Sequence, residues 1–330
     1  MRMHAASDMP SGGGALGRWA APLPIPAAYV ARVRLDEPMA AHCSWHAGGA
    51  AQAYFNPRDV EELAGFLRAL PPSVPVYWVG LGTNLLVREG GIRGVVIATA
   101  GAFTRIERRS ASTVYCEASV PCARIARNCA LWSLPQAEFF AGIPGSFGGA
   151  LAMNAGAFGD ETWRHVLSVQ TIDRAGEHRG YSRADYEVGY RSVALRAAAA
   201  TPVWFLAAEL QFDPQALVGG TTSGSSGDGT IAALMQRRRE TQPLGAWSCG
   251  SVFKNPPGDH AARLIESAGL KGARIGDAVV SEKHANFIIN CGQARASDLE
   301  QLIRHVQASV QQRFGVVLEP EVRIVGEESA

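Results

Sequence analysis

Between Phe140 and Gly159 the chain reads Phe-Ala-Gly-Ile-Pro-Gly-Ser-Phe-Gly-Gly-Ala-Leu-Ala-Met-Asn-Ala-Gly-Ala-Phe-Gly, with glycine at 142, 145, 148, 149, 156 and 159. So many glycines strip the side chains from one compact piece of backbone. Such backbone reaches left-handed φ values, approaches a ligand closely and turns its N–H groups toward anionic oxygens. An isolated glycine pair is more often a plain turn. Here a second glycine loop lies upstream, Gly80-Leu81-Gly82-Thr83-Asn84-Leu85, and the two together point to a phosphate cradle.

The upstream loop offers Gly-x-Gly but lacks the third glycine of the dinucleotide fingerprint, and no clear helix follows it, so it fails as a Rossmann signal. As a turn after a buried strand, with Thr83 and Asn84 to hydrogen-bond phosphate or ring edges, it suits a nucleotide cofactor. By itself it reads equally well as turn or ligand loop.

A chain of 330 residues exceeds what one ordinary core supports, so two or three domains are expected. Hydrophobic residues at 47% and charged residues at 18% describe a globular protein. A net charge of +1 lacks the basic face that broad nucleic-acid binding needs, yet leaves room for a small cationic pocket. Cys43, Cys116, Cys122, Cys129, Cys249 and Cys291 form no Cys-x-x-Cys pair and no ligand quartet with nearby histidines. They read as reduced thiols of a cytoplasmic protein, with no metal site expected. No apolar run approaches the roughly 18 residues of a membrane span, so membrane insertion is not expected. The Ala-, Gly- and Pro-rich N-terminus, interrupted by Arg18, reads as a disordered extension rather than a signal peptide.

Strands and helices alternate over the first 210 residues. Asn56-Pro57 is expected to open a helix with apolar positions Val60, Leu63, Phe66, Leu67 and Leu70, Pro57 taking a first-turn position. Strands are expected over 76–79, 94–98 and 113–120, a helix over 123–131, a hairpin from 167–174 and 178–182, and a further strand over 202–212. This pattern favours two α+β lobes. The run Gly-Gly-Thr-Thr-Ser-Gly-Ser-Ser-Gly-Asp-Gly over 219–229 reads as a linker. Beyond it come a helix over 231–240 carrying Arg237, Arg238 and Arg239, a strand over 250–254, a helix over 259–268 and strand-like residues over 279–290. A long helix is expected from Ser297, with Glu300 completing a capping box and a stripe of Leu299, Leu302, Ile303, Val306, Val310 and Phe314. The last strand is expected over 316–325. The expected units are an extension over 1–30, lobe 1 over 31–100, lobe 2 over 101–213, a linker over 214–230 and a C-terminal domain over 231–330.

Three residues attract chemical interest. Arg191, after Gly189-Tyr190, has a planar fork matched to a carboxylate or enolate, although a lone surface arginine is usually a solvated charge. Ser251 lies in Gly250-Ser251-Val252-Phe253-Lys254-Asn255-Pro256, where strand alternation would put Ser251, Phe253 and Asn255 on one face and Lys254 on the other. A hydroxyl is a weak acid and serves as proton donor only to a strong, well-placed base such as a carbanion. No nucleophile elbow surrounds Ser251, so acyl-enzyme chemistry is not indicated. In the last strand Glu321 and Arg323 fall on one face, either as a surface pair or at the mouth of a pocket, and spacing does not decide.

These segments together resemble the UDP-N-acetylenolpyruvoylglucosamine reductases, flavoenzymes of bacterial peptidoglycan precursor synthesis. The match begins at Ser44-Trp45-His46-Ala47-Gly48-Gly49 and includes both glycine segments, Met153-Asn154-Ala155-Gly156, Tyr190-Arg191-Ser192 and 250–256. Ala268-Gly269-Leu270-Lys271-Gly272, Ser281-Glu282-Lys283-His284-Ala285-Asn286-Phe287 and Glu321-Val322-Arg323-Ile324-Val325-Gly326 continue it. Any one motif is unspecific; this many in family order are very specific.

The resemblance implies a two-lobed FAD-binding domain of the vanillyl-alcohol-oxidase type, followed by an α+β substrate domain. It implies noncovalent FAD, NADPH as co-substrate, a monomer, and a role in cell-wall biogenesis. Gly80, Leu81, Gly82, Thr83, Asn84 and Leu85, with Gly142, Ile143, Pro144, Gly145, Ser146, Gly148, Gly149, Ala150, Asn154 and Gly156, would hold the cofactor. Arg191, Ser251 and Glu321 would be catalytic, Ser251 protonating the enolic carbon while Arg191 and Glu321 polarise the carboxylate and stabilise its charge. Tyr190, Lys254, Asn255, Arg323 and, from the arginine triplet, Arg239 would contact the substrate. The short path from Arg191 to the linker leaves no room for a tyrosine-bearing insertion, which places the chain with the family's shorter subtype. His46 stands where many relatives carry Arg or Lys. A sugar or hydroxy-acid oxidase of the same fold and a catalytically silent nucleotide-binding module are the alternatives.

Overall fold

The computed structural model describes residues 19, 21–196, 203–214 and 227–328. The expected N-terminal extension lies outside them through residue 18, as does the glycine- and serine-rich stretch over 215–226.

Lobe 1 is a four-stranded mixed sheet. β1 (Val33–Pro38) runs antiparallel to β2 (Ala50–Phe55), and after α1 (Val60–Ala69) come β3 (Val76–Val79), β4 (Leu85–Val87) and β5 (Ile92–Ala98). β5 pairs in parallel with both β2 and β3, giving the order β1-β2-β5-β3. Every residue of β2 is buried, as parallel strands covered on both faces require. The helix starts three residues later than Asn56-Pro57 suggests, because the Asp59 side chain accepts from Glu62 N at 2.8 Å and caps it there. Leu23, Ile25 and Tyr29 pack on this core, so the chain joins lobe 1 ahead of residue 31.

Lobe 2 is an antiparallel sheet with two short helices. In order come β6 (Ile106–Arg108), β7 (Thr113–Glu117), α2 (Cys122–Leu131), α3 (Phe147–Met153), the small hairpin of β8 (Gly156–Ala157) and β9 (Asp160–Glu161), and β10 (Val166–Asp173). β11 (His178–Ser182), β12 (Tyr186–Gly189), β13 (Ser192–Leu195) and β14 (Val203–Gln211) complete it. The main sheet has the order β11-β10-β14-β7-β6, while β12 and β13 form a separate hairpin with Tyr190 and Arg191 at its tip. The lobes are fastened together by Arg174, whose guanidinium donates to the Leu67, Leu70, Pro71 and Val74 carbonyls at the end of α1. Trp78 stacks on Trp204 across the same junction at 5.0 Å.

The C-terminal part holds α4 (Gly227–Thr241), α5 (Ala261–Ser267), β15 (Arg274–Ile275), β16 (Ala278–Val280), β17 (Ile288–Asn290), α6 (Ala296–Phe314) and β18 (Arg323–Val325). Leu264 and Ile265 of α5 share one buried cluster with Leu299, Leu302, Ile303, Val306 and Val310 of α6. The stripe ends at Val310, since Phe314 is exposed. α6 begins one residue before Ser297: Asp298, not Glu300, closes the capping box by accepting from Arg295 N at 2.9 Å. Glu300 faces Arg88 instead. β18 leaves this domain and pairs in parallel with β4 of lobe 1, Arg323 opposite Leu85. The C-terminal strand therefore lies directly beyond the first glycine turn.

Two expected strands are not regular. Around Ser251 only Phe253 makes an isolated bridge, to Pro320, and of the segment over 316–325 only Arg323–Val325 is strand. Around Val252 and Phe253 the cause is a single residue in place of a strand neighbour. Asn286 accepts from Val252 N through its carbonyl, accepts from Phe253 N through Oδ1 and donates to Phe253 O through Nδ2. The strand alternation expected there is lost, and Val252 and Phe253 are both buried.

Arg88 meets Glu300 through two bonds of 2.8 and 2.9 Å, and Arg304 also donates to Glu300. The Arg88 guanidinium, the foremost influence, holds the buried Glu300 carboxyl below its ordinary 4.5. A depressed carboxyl contributes stability that is present above the ordinary value and lost as pH falls through the folded one. Glu300→Gln is therefore expected to lower the melting temperature most at pH 7, by the equivalent of about 1.5–3 kcal/mol for a hydrogen bond to a charged group, the gap closing below pH 4.5. A gap independent of pH would contradict this account.

Candidate active site

The two glycine segments meet at the junction of the lobes. The first follows β3 and the second leads into α3. A Cβ on Gly80 would strike Ser146 Oγ, and Gly82, at φ +63°, lies so close to the His42 carbonyl that no side chain fits. Thr83 Oγ1 donates to Pro144 O at 2.8 Å, tying one turn to the other. Among the described residues, no carbonyl or side chain accepts from the N–H groups of Leu81, Gly82, Thr83 or Asn84. Four successive unpaired donors beside a side-chain-free surface fit the diphosphate of a dinucleotide such as FAD.

Beneath the turns is a cavity of about 260 Å³. Thr83, Asn84, Gly142, Ile143, Pro144 and Gly156 of the expected cofactor residues line it, and so do all three expected catalytic residues, Arg191, Ser251 and Glu321. Chain segments more than 50 residues apart thus converge on one space. Gly80, Leu81, Gly82, Leu85, Gly145, Ser146, Gly148, Gly149 and Ala150 belong to the two glycine segments but do not line this cavity.

Arg191, at φ +53° on the hairpin tip, donates through Nε to Glu321 Oε1 at 2.9 Å and through Nη1 to the Asn154 carbonyl at 3.2 Å. The Glu321 side chain is 12% exposed. Burial raises its carboxyl above the ordinary 4.5, against the opposing pull of Arg191 and Lys254. Ser251 follows Gly250, which stands at φ +82°. Among the described residues the Ser251 hydroxyl has no hydrogen-bond partner. The chain thus presents a free hydroxyl and a paired guanidinium and carboxyl to the same space.

Several expected residues stand elsewhere. Asn154 is fully buried: Nδ2 donates to Gly189 O, and Oδ1 accepts from Trp163 N. Its side chain braces the wall behind the cavity. Tyr190 is half exposed and its hydroxyl accepts from Asn255 N at 3.3 Å, while the Asn255 side chain caps α5 by accepting from Ala261 N. Lys254 pairs with Glu319, and Arg323 is exposed on β18. None of these five lines the cavity.

Arg239 is exposed and donates to Gln236 on its own helix, whereas Arg238 lines the cavity beside Gln242, to which it donates at 2.8 Å. Burial lowers the Arg238 pKa, and no carboxylate pairs with it among the described residues. Helical phase could have selected it. Ile231 and Met235 pack on the lobe 2 core, and steps of four, three and four lead from 231 to 235, 238 and 242 on one face. Met153, Cys249 and Phe287 also line the cavity, without a sequence signal that separates them from core residues. His46, at φ +52°, lies on Trp247 with ring centroids 4.5 Å apart, away from the cavity lining.

A family model described as FAD binding domain matches residues 51–182, and one described as UDP-N-acetylenolpyruvoylglucosamine reductase, C-terminal domain, matches 242–325. The chain is 52% identical over 291 residues to a UDP-N-acetylenolpyruvoylglucosamine reductase of Alkalilimnicola ehrlichii, covering 88% of this chain and 94% of that protein. It is 51% identical to the reductase of the same name from Methylococcus capsulatus, covering 89% and 93%. The crystal structure of the Thermus caldophilus reductase superposes with a TM-score of 0.71 at 29% identity, covering 89% of this chain and 98% of that one.

Proposed function

Because the chain belongs to the UDP-N-acetylenolpyruvoylglucosamine reductase family, we propose that it reduces UDP-N-acetylglucosamine enolpyruvate to UDP-N-acetylmuramate with NADPH. This is a step of peptidoglycan precursor synthesis. The carrying observation is the convergence of Ser251, Arg191 and Glu321 on a cavity walled by two glycine turns.

The four free N–H groups of Leu81, Gly82, Thr83 and Asn84 would hold the FAD diphosphate. When bound there, FAD would supply the hydride chemistry that links NADPH to the enolpyruvyl methylene carbon. Ser251 donates a proton to the neighbouring carbon, the one bearing the carboxylate, where the electron pair accumulates. A weak acid suffices because that carbon is strongly basic at that moment. Arg191, held rigid by Glu321 and the Asn154 carbonyl, stabilises the negative charge on the substrate carboxylate. Arg238, a half-buried guanidinium without a carboxylate partner, is the further cation for an anionic group of the substrate. Tyr190, Lys254, Asn255 and Arg323 remain proposed contacts to the nucleotide end, outside the cavity. Among the described residues no helix is long and apolar enough to cross a membrane, and the proposed setting is the cytoplasm, with the protein acting as a monomer.

An oxidase would need a base to take a hydroxyl proton, and among the described residues no histidine lines the cavity. The reductase is expected to be yellow as purified and to consume NADPH only when UDP-N-acetylglucosamine enolpyruvate is added. Peroxide formation driven by a sugar would favour the oxidase. Colourless protein without turnover after FAD supplementation would defeat both enzymatic readings.

A further inference from the structure

Each glycine segment carries one asparagine at the active site, and each asparagine touches one half of the Arg191–Glu321 pair. Asn84, in the first turn, donates through Nδ2 to the Glu321 carbonyl at 3.0 Å, and its own carbonyl accepts from Arg323 N at 3.1 Å. The N–H of Glu321 donates to Val252 O at 2.7 Å, next to Ser251. The main chain of Glu321 is therefore gripped from the glycine turn on one side and from the serine segment on the other. Asn154, left-handed at φ +46°, donates through its side-chain Nδ2 to Gly189 O at 3.1 Å, and its main-chain carbonyl accepts from Arg191 Nη1 at 3.2 Å. It brackets the hairpin tip on which Arg191 itself adopts a left-handed φ, a conformation that persists only where its surroundings enforce it.

We propose that Asn84 and Asn154 are positioning residues for the reduction, Asn84 holding Glu321 and Asn154 holding Arg191, so that the segments which cradle the cofactor also set the substrate-facing pair. This rests on the reductase reading above. It differs from a plain cofactor contact in one respect: the side-chain donor of Asn84 is already committed to the main chain of a residue 237 positions away. The cradle's own donors are main-chain N–H groups, which a substitution at 84 leaves in place.

Asn84 is the testable member, because Asn154 is fully buried. Asn84→Ala removes the bond, and Asn84→Asp keeps the shape but cannot donate, so the second variant carries the test where the first does not fold. The holoprotein is examined by FAD titration and by each half-reaction separately. Measured at saturating FAD, reoxidation by UDP-N-acetylglucosamine enolpyruvate is expected to slow about 10-fold or more beyond any change in flavin reduction by NADPH, as a misplaced catalytic group implies. In steady state the loss falls on kcat, with KM for NADPH unchanged. Weakened FAD binding with normal reoxidation at saturating FAD would overturn the proposal and make Asn84 a cofactor contact. Equal losses in both half-reactions would overturn it in favour of a general structural role. Wild-type protein that the enolpyruvyl nucleotide fails to reoxidise would defeat the reductase reading itself, which separates the two failures.

Discussion

Ser251→Ala is expected to leave flavin reduction by NADPH nearly intact while slowing reoxidation by the enolpyruvyl nucleotide about 10²-fold or more, the usual worth of a positioned general acid. Ser251 carries the only cavity-facing hydroxyl on the C-terminal side of the site among the described residues, and it has no competing protein partner. Its segment is held by the three Asn286 bonds, so losing one oxygen at Ser251 leaves the backbone in place. Stopped-flow traces of the two half-reactions decide the point. A variant slowed equally in both would show that the hydroxyl serves the site's shape rather than proton transfer.

The second large effect is expected at Glu321. Glu321→Gln keeps the side-chain volume and an acceptor for Arg191 Nε but removes the negative charge opposite the guanidinium. Reoxidation is expected to fall about 10²- to 10³-fold, the scale of a lost electrostatic stabiliser. Thermal stability should respond differently. Burial raises the Glu321 carboxyl above 4.5, so the native state holds its proton more tightly than the unfolded chain. Where the unfolded state binds fewer protons, stability falls as pH rises. Wild-type protein therefore loses a contribution as pH climbs from about 4.5 through the raised value, and the glutamine variant lacks that slope. Removing one partner of a buried pair normally destabilises strongly, but the glutamine oxygen can still accept from Arg191 Nε. Melting temperatures across pH 4 to 8 set beside half-reaction rates separate the two consequences, and an unchanged pH slope would contradict the assignment.

The glycine segments were legible because their signal is local: backbone without side chains, read off consecutive residues. α1, β3, α2 and the 166–182 hairpin were legible through periodicity, and the boundary errors came from caps. Asp59 and Asp298 captured the N-termini of α1 and α6, while Glu300 was drawn to Arg88 across the domain junction. The strand expected around Ser251 failed for a different reason. Asn286 supplies there the donor and acceptor of a missing neighbour, and a side chain reaching back 33 positions has no period to read. Helical phase would have chosen Arg238 over Arg239; composition made the triplet look uniform.

The amino-acid sequence by itself determined that this chain forms two side-chain-poor turns able to bind an anion, a buried stripe on α6, and family motifs in an order that names the chemistry. Only the tertiary structure decided that β18 returns to pair with β4, that Glu321 faces Arg191, and that Asn84 and Asn154 hold that pair. The physical reason is range. Turn conformation and amphipathic periodicity arise from neighbours within a few residues, whereas an ion pair 130 positions apart exists only once packing has brought its two carriers to one cavity.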